Sequence, residues 1–465
     1  MTLLVALAGY LVVQLAIGAW VAPRIRTEDD YLIAGRRLGY PLTTFSLFAT
    51  WFGAETCLAA AGRAYREGVT LTTAEPFGYG LCLIVLGVVF AVPLWRHKLT
   101  TLADLFRRRY SVTVERAAAI ILVPSSVLWA AAQMRGFGYV LTTAAAIEVP
   151  VAVAVAAVIC IAYTMMGGLL ADAITDLVQG MVLIVGLVIV LVGIVVLQGG
   201  VAETVAAAQA AQRIARAGAE QVSLLAALED WAIPVCGSVV AAELVSRVIA
   251  ARSPAVARNA SLLAGSLYIL IGMIPLVVGL AATDLVAPPA DPEQWLPAVA
   301  RTILPTAAYV LFAGALISAI LSTVDTTLLV SAGLVSHNLV GPFLRHGGDR
   351  ARLLVARGGV VVFGIIAYVL AVRAEGIFAL VEQASAFGSA GALVTIVFGL
   401  FTTWGGPRTA LVTLVGGLLV YLACTFGGSP YPFLTSLVAS LLLYVTGALT
   451  ERVTTSGRAT TAGAA

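Results

Sequence analysis

Long apolar stretches separated by short polar ones run along almost the whole chain, and each is about as long as a helix that crosses a hydrocarbon core of roughly 30 Å. Thirteen are predicted, at approximately 2–22, 41–62, 70–95, 117–143, 149–166, 172–198, 230–250, 260–284, 303–338, 353–373, 377–402, 409–426 and 432–449. All are expected to be helices, because backbone groups facing lipid have no water to bond and open strands leave them unsatisfied. The interruptions carry the information. In "ILSTVDTTLLV" (320–330), Ser322, Thr323, Asp325, Thr326 and Thr327 stand where apolar side chains are expected. Glu55 and Thr56 lie beside Gly53 in the second span, Glu75 directly precedes Pro76 in the third, and Gln133 and Arg135 lie in the fourth. The sixth span holds Asp172, Thr175, Asp176 and Gln179, the seventh Glu243, and the eleventh Glu382, Gln383 and Ser385. An ionisable side chain at the bilayer centre costs about 2.5–3.5 kcal/mol on insertion scales, so these positions are the functional candidates. Each also has a structural reading, since hydroxyls can bond back to the preceding turn and a charged side chain near a span end can snorkel.

Spacing separates the two readings in the ninth span. Ala319, Ser322 and Thr326 recur at three and four residues, so the two hydroxyls share a helix face with the Ala319 carbonyl. Hydroxyls with freed carbonyls are hard oxygen ligands, suited to a small alkali cation at an interrupted helix near the midplane.

Composition agrees with the pattern: 465 residues, 60% hydrophobic and 11% charged, with a mean hydropathy of +1.01, describe a chain that belongs in a bilayer. Of 27 basic residues, 20 fall in segments that are cytoplasmic if the N-terminus is outside, six fall in the opposite segments, and Arg135 is inside a span. The asymmetry predicts N-out, C-in in a plasma membrane, the inner membrane of a bacterium. It also accounts for the net charge of +3 without a nucleic acid partner. Residues 1–22 have no basic segment before the apolar run and read as a retained first helix. The five cysteines are scattered through the spans without CxxC spacing and read as packing residues. The longest extramembrane piece, 199–229, reads as one amphipathic helix on the outer face, and the tail at 451–465 as unfolded. Everything from 1 to 450 is one transmembrane domain, so function resides among the helices.

Three stretches, "DYLIAGRRLGYPLTTFSLFATWFGAETCLAAAGRAYREG" (30–68), "YTMMGGLLADAITDLVQG" (163–180) and "AILSTVDTTLL" (319–329), resemble the sodium:solute symporter family, and the likeness extends over nearly the whole chain. The resemblance implies an all-α membrane protein with a leucine-transporter-type core of two inverted five-helix repeats, here about 41–198 and 230–402. It implies sodium as the coupling ion and no organic cofactor. Carried over residue by residue, the family's main sodium site becomes the carbonyls of Ala49, Phe52 and Ala319 and the hydroxyls of Ser322 and Thr323. A second cation site used by some relatives maps to Asp176, Ser322, Asp325 and Thr326. Asp325 stands where those relatives have a hydroxyl, which argues against a second sodium and leaves Asp176 to pair with an internal donor or to move a proton. The solute pocket maps to Trp51, Glu55, Thr56, Glu75, Arg135, Glu243 and Glu382. Arg135 offers a planar fork for a carboxylate, the glutamates could hold an ammonium, and Trp51 fills space a sugar would need. A small carboxylate-bearing solute such as an amino acid is therefore expected, with a sugar or other neutral solute as the alternative.

Two other classes were weighed. A sensor built on a transporter scaffold would need a signalling domain beyond the last span. An intramembrane enzyme would need a nucleophile with its base or a metal centre, yet His97, His337 and His346 fall at span ends or in loops and HExxH is absent.

Overall fold

The computed structural model describes residues 27–145, 147–217, 222–343 and 348–462, with scattered positions before residue 27. Among them the chain is helical throughout, and the one extended pairing is an isolated bridge between Leu38 and Ala251. Ten helices are long and apolar enough to cross a membrane: Phe77–Arg96, Val112–Thr143, Gly168–Gln198, Leu224–Ala250, Pro254–Ala281, Thr306–Phe343, Arg350–Arg373, Ile377–Phe401, Pro407–Phe426 and Pro432–Glu451. Of the remaining three expected spans, the fifth is a shorter apolar helix, Val149–Ala162, and the second is divided into pieces. The first, 2–22, lies almost entirely outside the described residues.

The fifth and sixth spans join without a loop. Their helices run together from Val149 to Gln198 and are divided at Gly168, whose φ of 57° and ψ of 176° turn the chain between them. A Cβ there would also lie 2.7 Å from the Tyr31 ring, so glycine serves both backbone and packing.

Three spans are broken at mid-depth. Tyr40–Trp51 stops before a π-helical turn at Glu55–Ala59. Leu224–Ala232 passes through a π-turn at Ile233–Gly237 and resumes as Ala242–Ala250. Ile377–Ala386 gives way at Phe387 and Gly388, the latter at φ 69°, before Ser389–Phe401. Freed backbone groups are tolerated at this depth only where protein or water satisfies them, so such breaks mark the interior of the bundle. The intact ninth-span helix, Thr306–Gly333, packs most extensively against the sixth and fourth and presents its polar run to the first break.

The two groups of basic segments gather at opposite ends. At one end Arg36 donates to the carbonyls of Ile249 and Leu99, Arg109 to those of Trp404 and Gly405, and Arg352 pairs with Glu28 at 3.0 Å. There Glu28 and Asp104 approach His337 at 3.1 and 3.4 Å. Burial alone would raise the Asp104 carboxyl, but contact with His337 and the Thr100 and Thr101 N–H groups brings it down to about 2. At the other end, of the amphipathic helix expected over 199–229 the part Val201–Ala217 is present, and 224–229 instead begin the next helix, Leu224–Ala232. Gln212 exchanges two hydrogen bonds with the backbone of Val69, and Trp231 Nε1 donates to Leu71, so the connection between the second and third spans is tied down from two sides.

One expectation is corrected here. Arg247, counted with the basic residues of the cytoplasmic segments although it falls within the expected span 230–250, is 0% exposed and lies inside the bundle. The backbone of the last helix continues to Ala462.

Candidate functional site

The first break exposes a carbonyl. In a continuous helix Gly53 N–H would bond Ala49 C=O; here it donates to Glu55 Oε1 at 3.2 Å, and Ala54 N–H donates to Gln133 Oε1 at 2.8 Å. Gln133 Nε2 bonds Glu55 Oε2 at 2.7 Å, so one buried amide–carboxylate pair caps the broken end. The Ala49 carbonyl turns instead to the ninth span, where Thr323 Oγ1 stands 3.3 Å from it and 3.3 Å from the Ala319 carbonyl. Next to it Ser322 Oγ donates to Asp176, whose other oxygen accepts from Ser46 at 2.5 Å. Phe52, whose N–H still bonds Phe48 C=O, closes the helix beside them with φ −89° and ψ 74°. Ser322 and Thr323 thus reach across to other helices, whereas Thr327 and Ser331 bond only back along their own, as the structural reading expects.

One turn further along, Thr326 Oγ1 accepts from Arg247 and lies 3.2 Å from Asp172. Arg247 forms a close ion pair with Asp172 and stands 3.8 Å from Asp176. Asp325, which accepts from Thr326 N–H at 2.8 Å, lies beside Asp172. Two carboxyl groups therefore flank one guanidinium, with Asp325 beside the first of them, in a region closed to solvent. Arg247 sits one helical turn beyond Glu243 on the short helix Ala242–Ala250.

A separate cavity opens toward the Arg63 end and is lined in part by Glu55, Glu75, Tyr79, Asp230, Phe378 and Glu382, with Arg63 at its mouth. Glu75 Oε1 accepts from Thr56 Oγ1 at 2.6 Å and Tyr268 OH at 2.7 Å, while its Oε2 is buried with no partner. Arg63 lies 4.3 Å from the Phe378 ring and 3.5 Å from Glu67. Beneath the cavity is an aromatic layer: Trp51 stacks on Trp129 at 4.4 Å, and Tyr79 meets their edges at 6.2 and 5.6 Å.

Beyond that layer lies a second cavity, lined by Ser126, Trp129, Ser238, Glu243, Ser385 and neighbours. Three elements cross from one cavity to the other in order. Asp230 and Pro234 precede Ser238 and Glu243, Phe378 and Glu382 precede Ser385 and Ser389, and in the reverse sense Ser126 and Trp129 precede the Gln133 that binds Glu55. Tyr79 OH, Ser385 Oγ and Ser238 Oγ link the two through contacts of 2.9 and 3.2 Å. Gly237 holds the crossing tight, because a Cβ there would stand 2.4 Å from the Ser385 carbonyl oxygen. Gly237→Ala is expected to lower stability by about 1–3 kcal/mol through overpacking, read as thermal unfolding of the purified protein.

The sequence-predicted residues are therefore divided. Glu55, Glu75 and Glu382 line the first cavity, Thr56 supports Glu75, and Trp51 is buried in the aromatic layer. Glu243 belongs to the second cavity. Arg135 lines neither: its guanidinium donates to the carbonyls of Ala371 and Glu375 at 3.0 and 3.3 Å and lies over the Tyr139 ring. Its fork closes a helix C-terminus, a favourable place for a cation, and is not presented to a solute. Sequence reading missed Trp129, Tyr79, Tyr268, Ser46 and Arg247. Ser46 and Arg247 carried a signal, as polar residues one or two turns from the flagged Ala49, Phe52 and Glu243, while the aromatics are indistinguishable from ordinary span residues.

Comparisons with known proteins give the lineage. The chain is 24% identical over 518 residues to a high-affinity choline transporter of Caenorhabditis elegans, covering 98% of this chain and 86% of that protein. It is 26% identical over 460 residues to the sodium/pantothenate symporter of Escherichia coli K12, covering 95% of each. A substrate-bound, outward-open Na+-coupled sialic acid symporter has the same fold, with a TM-score of 0.84 at 20% identity over 97% of this chain and 98% of that one. The family model for sodium:solute symporters matches residues 31–417, more than half the chain. The protein is a multi-pass membrane transporter and belongs to the sodium:solute symporter family.

Proposed function

We propose that the chain couples the entry of sodium to the import of a small organic cation across a plasma membrane, with its N-terminus outside. Sodium is held by the carbonyls of Ala49, Phe52 and Ala319 and the hydroxyls of Ser322 and Thr323, and Asp176, Thr326 and Asp325 tune that site from one side. The breaks at 52–54 and 238–241 open the first helix of each five-helix repeat, as alternating access in a leucine-transporter-type core requires.

The observation that carries the choice of solute is Glu75: a buried carboxylate with one unpartnered oxygen, in a cavity whose acids outnumber its single guanidinium, above Trp51, Trp129 and Tyr79. Carboxylates beside aromatic faces are the chemistry that recognises an ammonium or quaternary ammonium head. The relatives named for choline and for pantothenate are 24% and 26% identical, so identity does not choose between a cation and an anion, and the acids and aromatic faces of the cavity support the cation. The amino-acid expectation survives in one form, a zwitterion whose carboxylate meets Arg63 in place of Arg135.

Radiolabelled choline is the probe. In proteoliposomes a sodium gradient is expected to drive its accumulation, and Glu75→Gln to raise the half-saturating choline concentration about tenfold. Accumulation of pantothenate in place of choline, or an unaltered constant in Glu75→Gln, would overturn the cation reading; inhibition by glycine betaine stronger than by choline would favour the zwitterion.

A further inference from the structure

We infer that the second cavity, on the inner side of the aromatic layer, is a separate holding site for the solute's cationic head, with Glu243 as its anion and Trp129 as its wall. The inference rests on the organic-cation reading and extends it to a place the outer site does not reach.

Glu243 is 4% exposed, and its carboxylate receives a hydrogen bond from Ser126. Among the described residues no guanidinium, ammonium or imidazole lies within ion-pair distance of it, and Arg247, one turn away, is turned to Asp172, Thr326 and Ser246. A buried carboxylate is stable when a cation or a full set of donors meets it, and one hydroxyl with the residue's own backbone N–H falls short of that. The cavity supplies an indole wall from Trp129 and hydroxyls from Ser238, Ser385 and Ser389. These are the same ingredients as in the outer cavity, where Glu75 bonds Thr56 and Tyr268 beside Tyr79. Two elements, Leu224–Ala250 and Ile377–Phe401, line both cavities and run from the first to the second in matching order, so a solute that passes the layer arrives at Glu243 along the path they line. The outer carboxylate captures the cation, and the inner one receives it before release.

The two sites are separated by measuring affinity from each side. Uptake of radiolabelled choline into right-side-out vesicles reads the outer constant, and efflux from vesicles preloaded with graded choline reads the inner one. Glu243→Gln is expected to raise the inner half-saturating concentration about tenfold and to move the outer one less than about twofold. Ser126→Ala is expected to move the inner constant in the same direction by about threefold, and it carries the test if Glu243→Gln fails to insert. Equal shifts on both sides, or none, in a protein that transports choline would remove the inner site while leaving the cation reading intact. No choline transport by the wild type would remove both.

Discussion

Replacing Ser322 and Thr323 together by alanine is expected to weaken apparent sodium affinity about a hundredfold, because on the proposed site two oxygens worth about 1–1.5 kcal/mol each disappear while little volume changes. The structure adds a reason beyond the count of oxygens. Thr323 Oγ1 stands between the carbonyls of Ala49 and Ala319, and Ser322 fixes Asp176, so the pair ties the broken second span to the ninth and to the sixth. All these groups are closed to solvent, and water cannot replace the lost oxygens at low cost. The measurement is the sodium dependence of uptake, together with thermal stabilisation by sodium chloride against potassium chloride. A double variant that inserts normally and retains the wild-type sodium dependence would refute the assignment.

The second large effect concerns Arg247. Arg247→Met keeps the unbranched stem of the side chain and leaves Asp172 and Asp176, with Asp325 beside them, without a guanidinium. Removing one partner of a buried pair costs about 3–5 kcal/mol, so this variant should unfold at markedly lower temperature or fail to accumulate in the membrane. Arg247→Met combined with Asp172→Asn removes the charge left behind and should recover a large part of the loss. A double variant no more stable than Arg247→Met alone, or a single variant as stable as the wild type, would show that the pair does not hold the bundle together.

What the chain disclosed in advance follows the physics of burial. Hydroxyls and carboxylates in apolar spans are conspicuous because lipid excludes them, and for this reason Ser322, Thr323, Asp176, Glu55 and Glu75 could be marked from the sequence. The helix junction near residues 166–172 and the break after Trp51 were legible because glycine and small polar residues interrupt the pattern there. Aromatic residues give no such contrast: Trp129 and Tyr79 read as ordinary span residues, and only the fold shows that they form one layer with Trp51. Arg135 and Arg247 were misread in opposite directions for a single reason. Position along a span gives depth but not the face a side chain takes, so Arg135 was credited with a solute and turned to helix-end carbonyls, while Arg247, near the end of the span 230–250, was counted with the basic end and turned inward.

The stacked indoles of Trp51 and Trp129 also bear on what the protein does when it carries nothing. With an aromatic partition between the two cavities, the molecule is expected to conduct no sodium between strokes. Each sodium ion that slipped through unaccompanied would dissipate about 2.3 kcal/mol per 100 mV of membrane potential. A partition thinned by Trp129→Ala would turn that stored voltage into a standing leak current, detectable as sodium conductance in the absence of any solute.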